Sequence, residues 1–227
     1  ANYEKEEKKI RFLQKSEIMK LMAMKMNDRE SELARLMFVF SCFTGMAIAD
    51  MESLEYRHIQ TAADGQRYIR KERQKTKVEF VVPLHPIAEA IISHYRNEQE
   101  RNEEQQTVKE KGDSLVFHRD CSRSVIDAKL SIVGKACGIR QRLSYHMARH
   151  TFGTMSLSAG IPIESIAKMM GHASISSTQI YAQVTDKKIS EDMDRLIAKQ
   201  SVKEKETAER EVCEPSEVSI CKMEETA

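Results

Sequence analysis

Apolar positions along this chain fall mostly at helical spacing, interrupted once by a stretch that alternates as strands do. Ser16 stands where a cap should, ahead of Ile18, Leu21 and Met22, and predicts a first helix. Asn27 and Asp28 punctuate before a strong helix from Glu30 to Phe43. Between Arg57 and Pro83 the signal changes: Ile59, then Tyr68 and Ile69, then Val78 to Val82 after a turn at Gly65 predict short antiparallel strands. Helical spacing returns from Pro86 to about Arg101 and from Ser124 to Ala136, separated by a Glu- and Gln-rich polar stretch to Gly112 that reads as a surface loop. Leu143, His146, Met147, His150, Phe152, Met155 and Leu157 form a broad stripe that closes at Ala159 and Gly160. Pro162 opens a shorter helix to Met170, and Gly171 ends it. The expected fold is mainly α (α+β), helices around a small antiparallel sheet or hairpin. No internal repeat is evident.

One window of 36 residues within this pattern holds His146, Arg149, His172 and Tyr181. Each type suits phosphoryl transfer. A phenol attacks without a metal, a guanidinium holds the growing charge on phosphate oxygens in a bidentate fork, and imidazoles move protons or donate near neutrality. His146 and Arg149, at i and i+3, share a helix face and are expected to reach one phosphate together. His172 follows the Gly171 turn, where its ring can swing into a site. His150 lies on the same side as His146, so it either contacts phosphate or orients its neighbours. The His146/His150 pair also has zinc spacing, but a zinc protease would want Glu where Met147 stands.

These residues resemble the catalytic domain of the tyrosine recombinase family, the phage-type and mobile-element integrases, over roughly Ser16 to Leu196. The family pattern H-x-x-R-H is met at His146, Arg149 and His150, its L-G-H at Met170, Gly171 and His172, and its nucleophile position at Tyr181. The segment from Arg73 to Leu84 resembles the family's β-hairpin, whose lysine, the acid for the departing 5′ oxygen, falls on Lys75. The resemblance implies site-specific cleavage and rejoining of DNA through a 3′-phosphotyrosyl link. His146 would take the Tyr181 proton, Arg149 and His172 would steady the phosphate, and neither metal, ATP nor other cofactor is required. It also implies double-stranded DNA as partner and homo-tetramers on paired sites, with the segment after the nucleophile passed to an adjacent subunit.

One position departs from the pattern. Where the family supplies a first arginine after T-G-[LM], this chain has Thr44, Gly45, Met46 and then Ala47, while Asp50 keeps the acidic position. Some conjugative-transposon integrases are similar in lacking that arginine. Arg73, two residues before Lys75, is the candidate substitute, on the expectation that both sit on one strand face. Ala47 also sustains a second reading, a non-catalytic DNA-binding or transposition-regulating module. A relaxing topoisomerase of the related tyrosine type is a third.

Charge first argues against a DNA partner and then for one. The whole chain carries only +1. Residues 201–227 hold eight Glu against four basic residues, which leaves 32 basic and 27 acidic residues in 1–200. Arg67 to Lys77, with six basic residues and one acidic, and Phe117 to Ala182, with eight and three, carry much of that excess beside the motifs. Five cysteines with no C-x-x-C spacing indicate neither a disulfide framework nor a zinc site and fit a reducing cytoplasm. The expected organisation is 1–15 as a linker from a missing upstream DNA-binding domain, 16–200 as the catalytic domain, and 201–227 as a charged tail, flexible on its own.

Overall fold

A computed structural model describes residues 10–103, 114–182 and 193–194. The polar stretch expected as a surface loop before Gly112, most of the linker, and the acidic tail lie outside the described residues.

The second helix organises the rest. Helix α1 spans Lys15–Ala23 and α2 Arg29–Thr44. Leu33, Ala34, Met37, Phe38, Val39, Phe40 and Cys42 of α2 are all buried, so the helix is apolar nearly all round and must be covered on every side. Its cover comes from α4 (Pro86–Glu103), α5 (Arg123–Ala136) and α6 (Tyr145–Ser158). Asp28 caps α2 by accepting from the Ser31 amide at 2.9 Å, and Gly45 closes it at φ 68°. Arg35, buried in α2, donates to the Leu21 carbonyl at 2.7 Å and to both oxygens of Glu32, tying the end of α1 to the central helix. An edge-on ring pair, Phe40 with Phe117 at 5.1 Å, joins α2 to the segment before α5.

Helix α1 departs from expectation at its start. Gln14, not Ser16, is its cap, because Glu17 reaches back to the Gln14 amide at 2.8 Å and completes a reciprocal pair of bonds. Ser16 has no acid three residues on and sits inside the first turn.

The short helix α3 (Ile48–Glu52) leads into an antiparallel meander of β1 (Ile59–Thr61), β2 (Arg67–Glu72) and β3 (Glu79–Pro83). Ile69 pairs with Ile59 on one side and Val82 on the other, and Ile69, Phe80 and Val82 face the core. Lys71 shares that buried face; its ammonium donates to the Ser53 carbonyl at 2.8 Å, and burial lowers its pKa. Helix α7 (Ile163–Met170) packs on β3, and α8 (Ser176–Gln179) runs into a 3-10 turn at Ile180–Ala182. The sheet therefore holds α7, and with it the Gly171 turn, against the ends of α2 and α6. Among the described residues no helix is long and apolar enough to cross a membrane.

Phe40→Ala should cost about 3–5 kcal/mol in denaturant unfolding, the usual range for emptying a fully buried ring site. Ile132→Ala, on the exposed side of α5, should stay within about 0.5 kcal/mol. Equal losses at the two positions would contradict the central placing of α2.

Candidate active site

Arg149 comes from the buried side of α6, a helix capped by Ser144 accepting from the Met147 amide at 3.2 Å. That side runs through Tyr145, Ala148, Arg149, Phe152 and Gly153. Arg149 as a whole is 7% exposed, and its two Nη groups donate to the carbonyls of Gly45 and Met170. Gly45 caps the end of α2 and Met170 is the last residue of α7, so two helix C-termini turn unpaired, partly negative carbonyls toward one cation. Burial brings the Arg149 pKa down to about 10, with the Arg73 charge adding to the effect and Tyr181 and Asp50 opposing it. The group is still charged at neutral pH.

Tyr181 lies on the 3-10 turn with its ring packed against α6 at Gly153. A Cβ on Gly153 would stand 2.6 Å from Tyr181 Cε2, so this mid-helix glycine makes room for the ring at the expense of helix propensity. The phenol oxygen is hydrogen-bonded to His150 Nδ1 at 3.0 Å, and the residue is 8% exposed. Burial pushes the phenol pKa up to about 12 against the pull of Arg149. Burial, His146 and Arg149 together push His150 down to about 4. His146 lies edge-on to His150, ring centres 4.1 Å apart, and its own side chain is exposed. The structure thus brings His150, and not His146, to the hydroxyl. The expected pairing of His146 with Arg149 on one face is also altered, because Arg149 turns inward to the two carbonyls while His146 faces out.

Gly171, at φ 60°, ends α7, and the His172 amide returns to the Ala167 carbonyl at 2.9 Å to complete the cap. Burial first, then the charges of Arg149 and Arg73, push the His172 imidazole down to about 4. Its Nδ1 is hydrogen-bonded to Thr178 Oγ1 at 2.7 Å.

Arg73 enters from the sheet. Its Nε donates to Asp50 at 3.2 Å, and the other Asp50 oxygen accepts from the Gln74 amide at 2.8 Å. Its aliphatic stem crosses Gly171 so closely that a Cβ there would meet Cγ at 2.7 Å. Asp50 is 1% exposed, so the pair is held inside the fold rather than on its surface. The geometry corrects one expectation. Strand β2 stops at Glu72, so Arg73 and Lys75 belong to the hairpin turn, closed by Arg73 N–H to the Val78 carbonyl and Lys77 N–H to the Arg73 carbonyl, both 3.0 Å. Strand alternation therefore does not relate them. Arg73 reaches the site through Asp50, whereas Lys75 is exposed at the hairpin tip. Ala47 is the N-cap of α3 and supplies no charge.

Gly153, Thr178 and the two carbonyls around Arg149 are the parts that sequence reasoning missed. Gly153 and Thr178 had a weak signal, four residues after Arg149 and three before Tyr181; backbone carbonyls have none. Among the described residues no group of three His, Cys, Asp or Glu is placed to hold a metal, and His146 with His150 has no third ligand beside it.

Residues 11–188 match the model of the phage integrase family. A tyrosine recombinase of Pseudothermotoga lettingae is 24% identical over 187 residues, 82% of this chain and 60% of that relative. Among solved structures, the XerH site-specific recombinase bound to difH substrate superposes with a TM-score of 0.63 at 21% identity, over 82% of this chain and 55% of that one. The catalytic domain of bacteriophage HP1 integrase superposes at 0.54 with 19% identity, over 82% of this chain and 94% of that domain. The chain thus spans 60% or less of the two longer relatives and nearly all of an isolated catalytic domain.

His150 and His172 should titrate near pH 4 in a histidine NMR titration of the folded chain. Both folded-state values lie below the ordinary 6.5, so the unfolded chain takes up protons first. Their contribution to stability is complete above about pH 6.5 and declines as the pH falls toward 4. Titration of both rings near 6.5 would contradict the packing described.

Proposed function

The chain belongs to the phage integrase family, and we propose that it is a site-specific DNA recombinase working through Tyr181. The observation that carries the reading is the convergence of a phenol on a neutral imidazole, Tyr181 on His150, beside a buried arginine fixed by two helix ends.

In the proposed reaction the Tyr181 oxygen attacks the scissile phosphorus in line and the bond to the 5′ oxygen breaks, leaving a 3′-phosphotyrosyl ester. The phenol proton passes to His150 Nδ1, already within hydrogen-bond distance. Lys75, on the exposed hairpin tip, gives the 5′ oxygen its proton as it inserts toward the duplex. Among the described residues two of the five Arg149 N–H donors go to carbonyls, which leaves three for the phosphate. His172 adds another donor, and His146 stays at the rim. Because one phosphoester replaces another, the exchange needs no metal and no ATP, and a partner strand's 5′ hydroxyl reverses it. The partner is double-stranded DNA, handled by a homo-tetramer on paired sites in the cytoplasm.

Arg73 takes the part of the arginine that Ala47 lacks. Its Nε is held by Asp50, and among the described residues its four other N–H donors remain beside Arg149 and His172. The alternative, a non-catalytic DNA-binding or regulatory module, draws on Ala47 alone.

A nicked suicide duplex carrying the crossover site decides between them. Wild-type chain should accumulate covalent adduct; binding without adduct would favour the module. In the same single-turnover assay Arg73→Ala should slow cleavage roughly 100-fold, as for one phosphate-stabilising group. Ala47→Arg should restore part of that loss, making the two substitutions non-additive. Cleavage by Arg73→Ala at the wild-type rate would remove Arg73 from the site.

A further inference from the structure

Beyond the groups assigned above, the bond between His172 and Thr178 bears on which proton His172 has to give. A neutral imidazole has one N–H. A phosphate oxygen only accepts, so His172 helps the transferring group only when the proton is on the nitrogen facing it. Nδ1 is occupied by Thr178 Oγ1 at 2.7 Å, which leaves Nε2 for the phosphate.

A threonine hydroxyl either donates or accepts, and its other partners decide. Elsewhere in the chain the proton is spent locally: Thr44 donates to the Phe40 carbonyl at 2.8 Å, and Thr151 to the Met147 carbonyl at 2.9 Å. Thr178 differs. Among the described residues the partner of its hydroxyl is His172 Nδ1. Its proton is thus free to go to that nitrogen. The residue is fully buried while residues 173–177 before it are exposed, so it anchors the end of an otherwise open loop. It also stands three residues before Tyr181 on continuous helical backbone.

We infer that Thr178 is a positioning residue whose hydroxyl donates to His172 Nδ1, holding His172 as the Nε2–H form and tying that donor to the turn that carries Tyr181. Its effect on cleavage rests on the recombinase reading above. The tautomer does not. For metal-bound imidazoles, removing the partner that fixes the ring typically costs about 10- to 100-fold in function, and the lower end of that range sets the scale expected here.

Two measurements on the full chain test it. In DNA-free protein, two-bond proton–nitrogen correlations of His172 should show the Nε2–H form, retained in Thr178→Ser and lost as a preference in Thr178→Val, which keeps the shape without the hydroxyl. In single-turnover cleavage of the suicide duplex, Thr178→Val should be about 10-fold slower with unchanged DNA affinity, and Thr178→Ser should stay within about 2-fold of wild type. In a His172→Ala background, Thr178→Val should add nothing further. An Nδ1–H form in the wild-type chain overturns the inference, as does full additivity of Thr178→Val with His172→Ala. If wild-type chain forms no adduct, the recombinase reading fails and the tautomer measurement alone decides the role of Thr178. If Thr178→Val does not fold, the wild-type tautomer and the Thr178→Ser rate still decide it.

Discussion

The Arg149 guanidinium, enclosed by the carbonyls of Gly45 and Met170, is the constraint around which the site is arranged. A buried cation without partners costs several kcal/mol, so the carbonyls must be in place, and they are supplied by two helices far apart in sequence. Satisfying one side chain therefore fixes the end of α2, the end of α7 and the register of α6 between them. Phe152 and Gly153, one turn further along α6, then form the floor on which the Tyr181 ring rests. Loss of the arginine would leave two helix-terminal carbonyls facing an empty space, so its proposed place in the chemistry coincides with its place in the fold.

The electrostatics follow from that enclosure. Arg149 and Arg73 are neighbours, and each needs a counter-dipole or counter-charge: carbonyl ends for the first, the buried Asp50 for the second. Burial first, and then nearby positive charge, from His146 and Arg149 at His150 and from Arg149 and Arg73 at His172, keeps the imidazoles neutral, and both are depressed to about 4. Neutral rings are the useful state here. In the proposed reaction one would accept a proton from a phenol, and the other would donate to a phosphate without adding a third positive charge to a site already short of solvent. The same burial raises Tyr181 to about 12, so the phenol of the resting chain is protonated at neutral pH.

How much of this was legible depends on how local each determinant is. Helices α2 and α7 were readable because Asp28, Gly45, Pro162 and Gly171 mark their ends within a few residues of the apolar pattern. The motifs bring His146, Arg149, His172 and Tyr181 into one short window of the sequence. The choice between His146 and His150 was not readable, since residues i and i+4 share a face and only the packing of the Tyr181 turn distinguishes them. Nor were the partners of Arg149, because a backbone carbonyl carries no signature in the sequence. Arg73 was singled out through strand alternation that the hairpin does not continue; Lys77, in the left-handed region at φ 57°, closes the turn in place of the expected glycine or asparagine. What brings Arg73 to the site is Asp50, 23 residues away, and that pairing is a property of the folded chain alone.

In the proposed reaction the phenol oxygen of Tyr181 is the atom that joins the DNA. The direct measurement is proteolysis of the adduct trapped on a nicked suicide duplex, followed by mass spectrometry of the nucleotide-bearing peptide. A phosphodiester-linked nucleotide on Tyr181, absent from Tyr181→Phe chain of unchanged stability, is the predicted result. A nucleotide on any other residue, or adduct formation undiminished in Tyr181→Phe, would contradict it.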